Sequence, residues 1–324
     1  MVVANVVQAV TMALRQELKR DKNVIVLGED VGLNGGVFRA TDGLQKEFGS
    51  DRVIDTPLAE LGIVGAAIGM AVNGMKPVAE IQFSGFLYGA FDQLLSHAAR
   101  IRMRSRGRFS CPLVVRAPYG TGIRALELHC ESGEALFSHI AGLKMVVPSN
   151  PYDTKGLLAA AIRDPDPVIF YEPMRIYRAI KQDIPDDDYI VPLGKANIIQ
   201  QGDDVTLIAW GAMLKTCQDA IEKLQGKYSV ELIDLRTINP YDAEAVISSV
   251  RKTGRCVIAH EAPRTAGFAA ELIAAINEKA LLSLHAPVVR VTGPDTPIPF
   301  AKLEGYYLPD VNRILKGMEK VMRF

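Results

Sequence analysis

Short apolar runs alternate with segments of helical periodicity along the first half of the chain. The runs are rich in Val and Ile, whereas the helical segments repeat apolar residues three or four positions apart. The predicted strands are Val24–Gly28, Pro77–Ile81, Pro112–Arg116, Lys144–Val147 and Pro167–Tyr171, and the predicted helices are Ala4–Arg20, Leu58–Val72, Ala90–Arg102 and Tyr152–Arg163. This alternation favours an α/β fold in which helices cover both faces of a mostly parallel sheet.

The pattern stops at one polar segment and then starts again. Lys181–Tyr189 is acidic, contains Pro185 and is typical of a linker. Beyond it, the predicted strands are Val205–Trp210, Val230–Leu235, Cys256–His260 and Val288–Val291, and the predicted helices are Lys215–Leu224, Ala243–Val250 and Ala269–Ala280. We therefore predict two α/β domains with mostly parallel sheets, residues 1–186 and 187–324.

Composition narrows the function classes. The 324 residues carry 37 Lys and Arg against 37 Asp and Glu, so the chain lacks the overall field of a dedicated nucleic-acid or anionic-membrane binder. The longest strongly apolar uncharged run, Leu61–Val72, is too short to cross a bilayer. The N-terminal apolar segment has no basic leader, and the four cysteines have no Cys-x-x-Cys spacing. We therefore expect reduced thiols and a cytoplasmic protein.

The segment Asp55–Met70 contains the first candidate site. Thr56 fits a helix N-cap and Pro57 fits the first helical position, which places Glu60 in the first turns. A carboxylate there can simply complement the helix dipole. The alternative is a carboxyl in an apolar setting, whose raised pKa suits proton exchange. The pattern alone leaves both interpretations open.

Three glycines lie on one face of the same predicted helix. Gly62, Gly65 and Gly69 each cost helix stability, by about 1 kcal/mol. We therefore expect another backbone, of this chain or of another, to approach that face closely.

Two further candidate segments follow predicted strands. Gln82 and Phe86 come just after one strand, where parallel sheets bind ligands, and they offer an amide and a flat ring; ordinary loop packing is an equal alternative. His129 follows a loop whose glycines mimic a dinucleotide fingerprint, but no helical period comes after it, so we reject a Rossmann assignment. A lone histidine is more often structural, although its pKa near neutrality suits proton transfer.

The segment Arg100–Arg108 carries five arginines at alternate positions. A phosphate-binding patch is one interpretation. We favour a solvated helix end, because no aromatic residues interleave with the arginines to stack on bases. Pairing with carboxylates across a subunit interface is a further alternative.

Taken in order, these motifs resemble the beta subunit of the thiamine-diphosphate-dependent 2-oxo acid dehydrogenases. The matching segments are Thr56–Glu60, Gly62–Gly65, Glu80–Phe83, Arg116–Gly120, His129, Gly142–Pro148, Pro151–Leu157, Pro167–Glu172, Asp234–Thr237 and Pro294–Thr296. Each segment is modest alone, but their order and spacing cover almost the whole chain. The resemblance implies a pyrimidine-binding domain followed by a transketolase C-terminal domain.

The resemblance also implies roles for particular residues. Glu60 corresponds to the carboxyl that activates the cofactor, and His129 to the catalytic histidine. Leu58, Gln82 and Phe86 correspond to residues that line the cofactor's pyrimidine and the approach to the active site. Some members carry Tyr in place of Phe86, and the serine that usually follows the histidine is a cysteine here.

Thiamine chemistry accounts for these residue types. The thiazolium carbon must lose a proton before it attacks a 2-oxo acid, and a carboxyl that shares a proton with the pyrimidine ring promotes this loss. That requirement favours the desolvated setting for Glu60. After decarboxylation the acyl group passes to a lipoyl group, and His129 is suited to steer or protonate the lipoyl sulfur.

The resemblance further implies partners and ions. The chain lacks the Gly-Asp-Gly…Asn signature for Mg²⁺ and diphosphate, which lies on a separate alpha subunit in the family. An α2β2 heterotetramer is therefore implied, with the second domain contributing to subunit contacts and to docking on the dihydrolipoyl acyltransferase core. A potassium ion is implied near Leu113, Ala161, Asp164 and Asp166.

We thus predict the beta subunit of a 2-oxo acid dehydrogenase, active only with its alpha subunit and without nucleic-acid or membrane partners. The spacing Glu134-Ala-x-Phe137-x-His139 resembles branched-chain members, so that substrate is favoured over pyruvate, with acetoin third. One rival is a self-sufficient enzyme of the transketolase type. Another is a non-catalytic subunit that docks through Arg100–Arg108.

Overall fold

Fourteen strands form three sheets in the computed structural model, which describes residues 1–324. The strands are β1 Val2–Asn5, β2 Val24–Gly28, β3 Val53–Asp55, β4 Lys76–Glu80, β5 Val114–Tyr119, β6 Lys144–Val146, β7 Val168–Pro173, β8 Lys181–Ile184, β9 Asn197–Gln200, β10 Val205–Ala209, β11 Val230–Asp234, β12 Thr237–Asn239, β13 Cys256–Pro263 and β14 Val289–Gly293. The α-helices are α1 Val6–Arg20, α2 Leu44–Phe48, α3 Glu60–Val72, α4 Ile101–Arg104, α5 Glu134–Ser138, α6 Pro151–Arg163, α7 Met213–Leu224, α8 Ala243–Thr253, α9 Ala269–Ala280, α10 Glu304–Tyr307 and α11 Val311–Met322.

Both large sheets are mostly parallel, which confirms the predicted fold class. The first has the order β12-β6-β7-β5-β4-β2-β3, and only β12 runs antiparallel to its neighbour. The second has the order β14-β13-β10-β11-β9, and only β9 is antiparallel. Central strands such as β2 and β10 are buried throughout, as expected where helices cover both faces.

The predicted linker is wrong in its first half. Lys181–Ile184 forms β8, which pairs antiparallel with β1, so the segment is part of a two-stranded ribbon. Helix α1 accordingly begins later than predicted, because Asn5 is its N-cap and exchanges capping hydrogen bonds with Gln8. The division at residues 186 and 187 stays a prediction.

Helix α3 also begins later than predicted. Thr56 is not its N-cap, because the Thr56 N–H donates to the Gly28 carbonyl and continues the contact with β2. The helix starts at Glu60, with Ala59 in the cap position. No backbone of this chain approaches the glycine face, where a Cβ on Gly69 would meet nothing within 4 Å. Approach by another chain stays a prediction.

The helix predicted over Ala90–Arg102 is a succession of short turns instead. A π-turn at Gln93–His97 is followed by a 3₁₀ turn and then by α4. Apolar spacing reports which face is buried and does not fix the hydrogen-bond register, so it does not separate these turns from a regular helix.

The two halves of the chain share one apolar core. The largest cluster of buried apolar residues has 39 members and includes side chains of both large sheets. All four cysteines are buried and free, in agreement with the expected thiols. None of the helices combines the length and the apolar character that crossing a membrane demands.

Candidate active site

The carboxyl ends of four neighbouring strands gather most of the candidate residues at one sheet edge. Strands β5, β4, β2 and β3 are adjacent in that order. His129 lies in the loop after β5, Gln82 and Phe86 follow β4, Glu29 follows β2, and Glu60 follows β3. The fold therefore brings the four predicted side chains, which come from segments far apart in the sequence, to the edge where parallel sheets bind ligands, and it adds Glu29 to them.

Glu60 is the first residue of α3 and is half-buried. Its charge also acts on Glu29, whose pKa is raised by burial and then by the charges of Asp30 and Glu60. Leu58, two residues earlier, is 71% exposed. The chain thus presents the Glu60 carboxyl near an uncovered apolar side chain, on a surface open to a ligand or to another polypeptide.

His129 lies against two aromatic rings. Its ring centroid is 4.5 Å from that of Phe83 and 5.0 Å from that of Phe86, and its Nδ1 is 3.3 Å from the Glu127 carbonyl oxygen. The structure thereby joins Phe86 and His129 directly. Burial raises the pKa of the neighbouring Cys130 thiol to about 11, so this group does not form a thiolate–imidazole pair.

The loop that carries His129 is strained. Arg124, Leu126 and Leu128 all adopt positive φ, at 61°, 69° and 62°. A non-glycine residue in this conformation costs about 1–3 kcal/mol and persists where surrounding contacts over-determine it. On its own domain, the loop is held by hydrogen bonds from the Gly85 N–H to the Leu128 carbonyl, at 3.0 Å, and from Ser84 Oγ to the Glu131 carbonyl, at 2.7 Å.

A buried ion network lies beneath this edge. Arg116 Nη1 is 2.7 Å from Glu80 Oε2, and Arg116 Nε is 2.5 Å from Glu172 Oε1. Tyr177 Oη donates to the second oxygen of Glu172 at 2.6 Å. These groups tie together β4, β5 and β7 near the strand ends from which the candidate residues project.

The residues present fit the ring end of thiamine diphosphate. An aromatic ring, an amide and a carboxyl share the edge, and Thr56 Oγ1 is buried there without a hydrogen-bond partner. The same edge is acidic, and no group of three or more His, Cys, Asp or Glu side chains in the chain is arranged to hold a metal ion.

The groups assigned to potassium already have partners. Lys144 Nζ lies 2.7 and 2.6 Å from the two carboxylate oxygens of Asp164, and Arg102 pairs with Asp166. The carbonyls of Leu113 and Ala161 accept backbone N–H groups. The potassium site stays a prediction, and nothing below depends on it.

Comparison with known families defines the class of protein. Residues 3–179 match the family described as transketolase, pyrimidine-binding domain, and residues 194–314 match transketolase, C-terminal domain. A solved structure described as split gene transketolase, inactive beta4 tetramer, has the same fold, with a TM-score of 0.79, 20% identity and coverage of 98% of both chains. The fold is that of the transketolase-type thiamine enzymes.

Curated relatives narrow the class further. The chain is 50% identical to the pyruvate dehydrogenase E1 component subunit beta of Acholeplasma laidlawii over 100% of this chain and 99% of that protein. It is 50% identical to the corresponding protein of Bacillus subtilis and 47% identical to that of Staphylococcus aureus, over 98% of both chains in each case. The chain belongs to the beta-subunit family of the E1 components of 2-oxo acid dehydrogenases, which confirms the resemblance.

Sequence reasoning missed some residues at this edge. Glu29 follows a predicted strand, and the rule that selected Gln82 also applies to it. Phe83 stands inside a quoted motif, but nothing in the pattern indicated that its ring would contact His129. Residues far along the chain also contact the loop that carries His129, and no local sequence pattern indicated those contacts.

Proposed function

We propose that this chain is the catalytic beta subunit of a 2-oxo acid dehydrogenase, with pyruvate as its substrate. With its alpha subunit in an α2β2 heterotetramer, it carries out oxidative decarboxylation and acyl transfer to the lipoyl groups of a dihydrolipoyl acyltransferase. The observation that carries the proposal is the half-buried Glu60 on the open edge that also holds Gln82, Phe86 and His129.

Each residue has a role that follows from its chemistry. Thiamine diphosphate supplies a carbon nucleophile and an electron sink when bound. Glu60 holds a proton at the pyrimidine nitrogen, while Phe86 and Leu58 exclude water from the ring and Gln82 orients it. His129 donates a proton toward the lipoyl sulfur, for which imidazole is suited near neutral pH. Mg²⁺ and the diphosphate belong to the alpha subunit in this proposal.

Pyruvate is preferred over branched-chain substrates for two reasons. The relatives named above are pyruvate dehydrogenase subunits, and they give no support to the branched-chain preference. In addition, Glu134 and Phe137 of the motif behind that preference are fully buried, and the Trp210 indole donates to Glu134 at 3.2 Å. The burial of these two motif residues is therefore accounted for by packing between the domains.

The test begins with the tagged chain recovered from its own host with whatever partner co-purifies. We expect that complex to oxidise pyruvate faster than branched-chain 2-oxo acids or acetoin. Glu60→Gln lowers turnover at least 100-fold while the partner still co-purifies, and Glu47→Gln, a surface carboxyl paired with Arg15, serves as the matched control. Normal turnover by Glu60→Gln contradicts the proposal.

Two other outcomes identify the rivals. Activity of the purified chain without a partner indicates a self-sufficient enzyme of the transketolase type. Loss of partner binding on charge reversal of Arg106 and Arg108, with Glu60 and His129 dispensable, indicates a non-catalytic docking subunit.

A further inference from the structure

The histidine loop, residues 120–131, connects β5 to α5 and spans the gap between the two domains. Its own domain contacts it mainly at the far end, through Ser84 and Gly85, and the Glu131 carboxylate within the loop accepts the Leu128 N–H at 3.3 Å. At the near end of the loop, the Gly120 N–H donates to the Glu131 carbonyl at 3.3 Å, and the other polar contacts are with the second domain.

Glu304 of the second domain binds that near end. It lies at the start of α10 and is only 5% exposed. Its Oε1 accepts the Gly122 N–H at 2.9 Å and the Arg124 N–H at 3.1 Å, and its Oε2 lies 3.1 Å from the same Arg124 nitrogen. Arg124 is itself the first non-glycine residue of the loop with positive φ, so the carboxylate binds the backbone where the strain begins.

Glu261 supplies a second contact of the same kind. It lies on β13 and is 3% exposed. Its Oε2 accepts both the N–H and the hydroxyl of Thr121, each at 2.8 Å, while its Oε1 lies 3.4 Å from Arg175 Nη2. Together, the two side chains accept three backbone N–H groups of the loop, those of Thr121, Gly122 and Arg124.

We propose that Glu304, supported by Glu261, is a positioning residue through which the second domain holds His129 in place for acyl transfer. This inference rests on the function proposed above. Glu304 and Glu261 both lie away from the open edge that carries Glu60, Gln82 and His129. Neither has a partner outside the loop that binds both of its carboxylate oxygens. A displacement of about 1 Å at a reacting group lowers a rate about 100-fold, so a loosened loop impairs the step that uses His129 more than it impairs decarboxylation.

The experiment compares two rates in the purified complex. One is acylation of a lipoyl domain, and the other is decarboxylation coupled to an artificial dye that needs no lipoyl group. We expect Glu304→Ala to lower the ratio of the first rate to the second at least tenfold, in the same direction as His129→Ala. Glu304→Gln retains the carbonyl oxygen that accepts two of the three bonds, so its ratio falls only about threefold.

Glu231→Ala is the matched control. Glu231 is also a buried carboxylate of the second domain, but it pairs with Lys252 and makes no contact with the loop, so its ratio stays within twofold of the wild type. A Glu304→Ala ratio equal to that of Glu231→Ala overturns the positioning role alone. If Glu304→Ala does not assemble, the Glu304→Gln ratio decides, and an unchanged ratio overturns the role. A wild-type complex that acylates no lipoyl domain overturns both proposals.

Discussion

In each large sheet, the carboxyl ends of the parallel strands form an edge that carries polar side chains. One of these edges is exposed, and the other is buried between the domains. The first sheet leaves Glu60, Gln82 and His129 partly exposed and without strong partners in this chain. The second sheet buries its edge against the first domain: Trp210 donates to Glu134 at 3.2 Å, and Asp234 accepts from Ser149 Oγ at 2.9 Å.

The difference shows that sheet topology brings polar groups to one edge but does not determine whether they bind a ligand or pair with each other. An uncovered edge keeps its groups available for a ligand, whereas a covered edge must satisfy them internally or keep them neutral. Accordingly, burial raises the pKa of both Glu134 and Asp234 to about 7. At the closed edge, the polar side chains form hydrogen bonds between the domains and are not available for a reaction.

The largest loss of stability is expected from a substitution in the buried ion network beneath the open edge. Arg116→Met leaves the carboxylates of Glu80 and Glu172 buried without their cation, and we expect a loss of about 3–5 kcal/mol in the free energy of unfolding. Urea unfolding of the purified protein measures this loss. Arg102→Met removes a half-exposed pair with Asp166 and is the control, with an expected loss of about 0–1 kcal/mol. Equal losses contradict the structural role of the buried network.

A second substitution tests the packing of the histidine loop on the open edge. A Cβ on Gly85 would lie 2.2 Å from the Leu128 carbonyl oxygen, whereas a Cβ on Gly89, in the same 3₁₀ segment, would meet nothing within 4 Å. Overpacking of this kind costs about 1–3 kcal/mol. We expect Gly85→Ala to lower Tm by several degrees and to impair lipoyl acylation, and Gly89→Ala to change neither. A tolerated Gly85→Ala means that the loop packs differently.

Much of the fold could be predicted because its signals are local. Apolar alternation located the parallel strands, and Ala269–Ala280 coincides with α9. Boundaries were wrong where a distant segment supplied the hydrogen bonds. Lys181–Ile184 is a strand only because β1 pairs with it, and Thr56 stays out of α3 because Gly28 accepts its N–H.

The candidate site divides in the same way. His129 and Phe86 were predicted from motifs, and the structure places their rings 5.0 Å apart. The contacts of Glu304 with Gly122 and Arg124 join residues about 180 positions apart, and no periodicity or motif encodes such a pair. Sequence motifs therefore indicate the candidate site residues, whereas the contacts that hold their loop in place emerge only from the packing of the domains.

The pH dependence of the free energy of unfolding tests whether the closed edge is buried. The Glu134 carboxyl has an ordinary pKa of 4.5 and a pKa of about 7 in the folded protein, because burial disfavours its charge. Between these values the folded state binds more protons than the unfolded state, so stability falls as pH rises from about 4.5 to about 7 and is then level. Glu134→Gln imitates the neutral acid and retains an acceptor for Trp210. We expect it to match the wild type at pH 5 and to be more stable at pH 8, on the order of 1–2 kcal/mol, in urea unfolding at both values.

Glu47→Gln is a control variant for which we expect a stability change of the opposite sign. The pKa of Glu47 is lowered by hydrogen bonds from Lys19 and Arg15, so its charge stabilises the fold above its ordinary pKa and the variant loses stability at pH 8. Asp234 titrates alike in the wild type and in both variants, so the difference between them isolates the single carboxyl. A Glu134→Gln profile parallel to that of the wild type requires water to reach Glu134, and the second edge would then be open like the first.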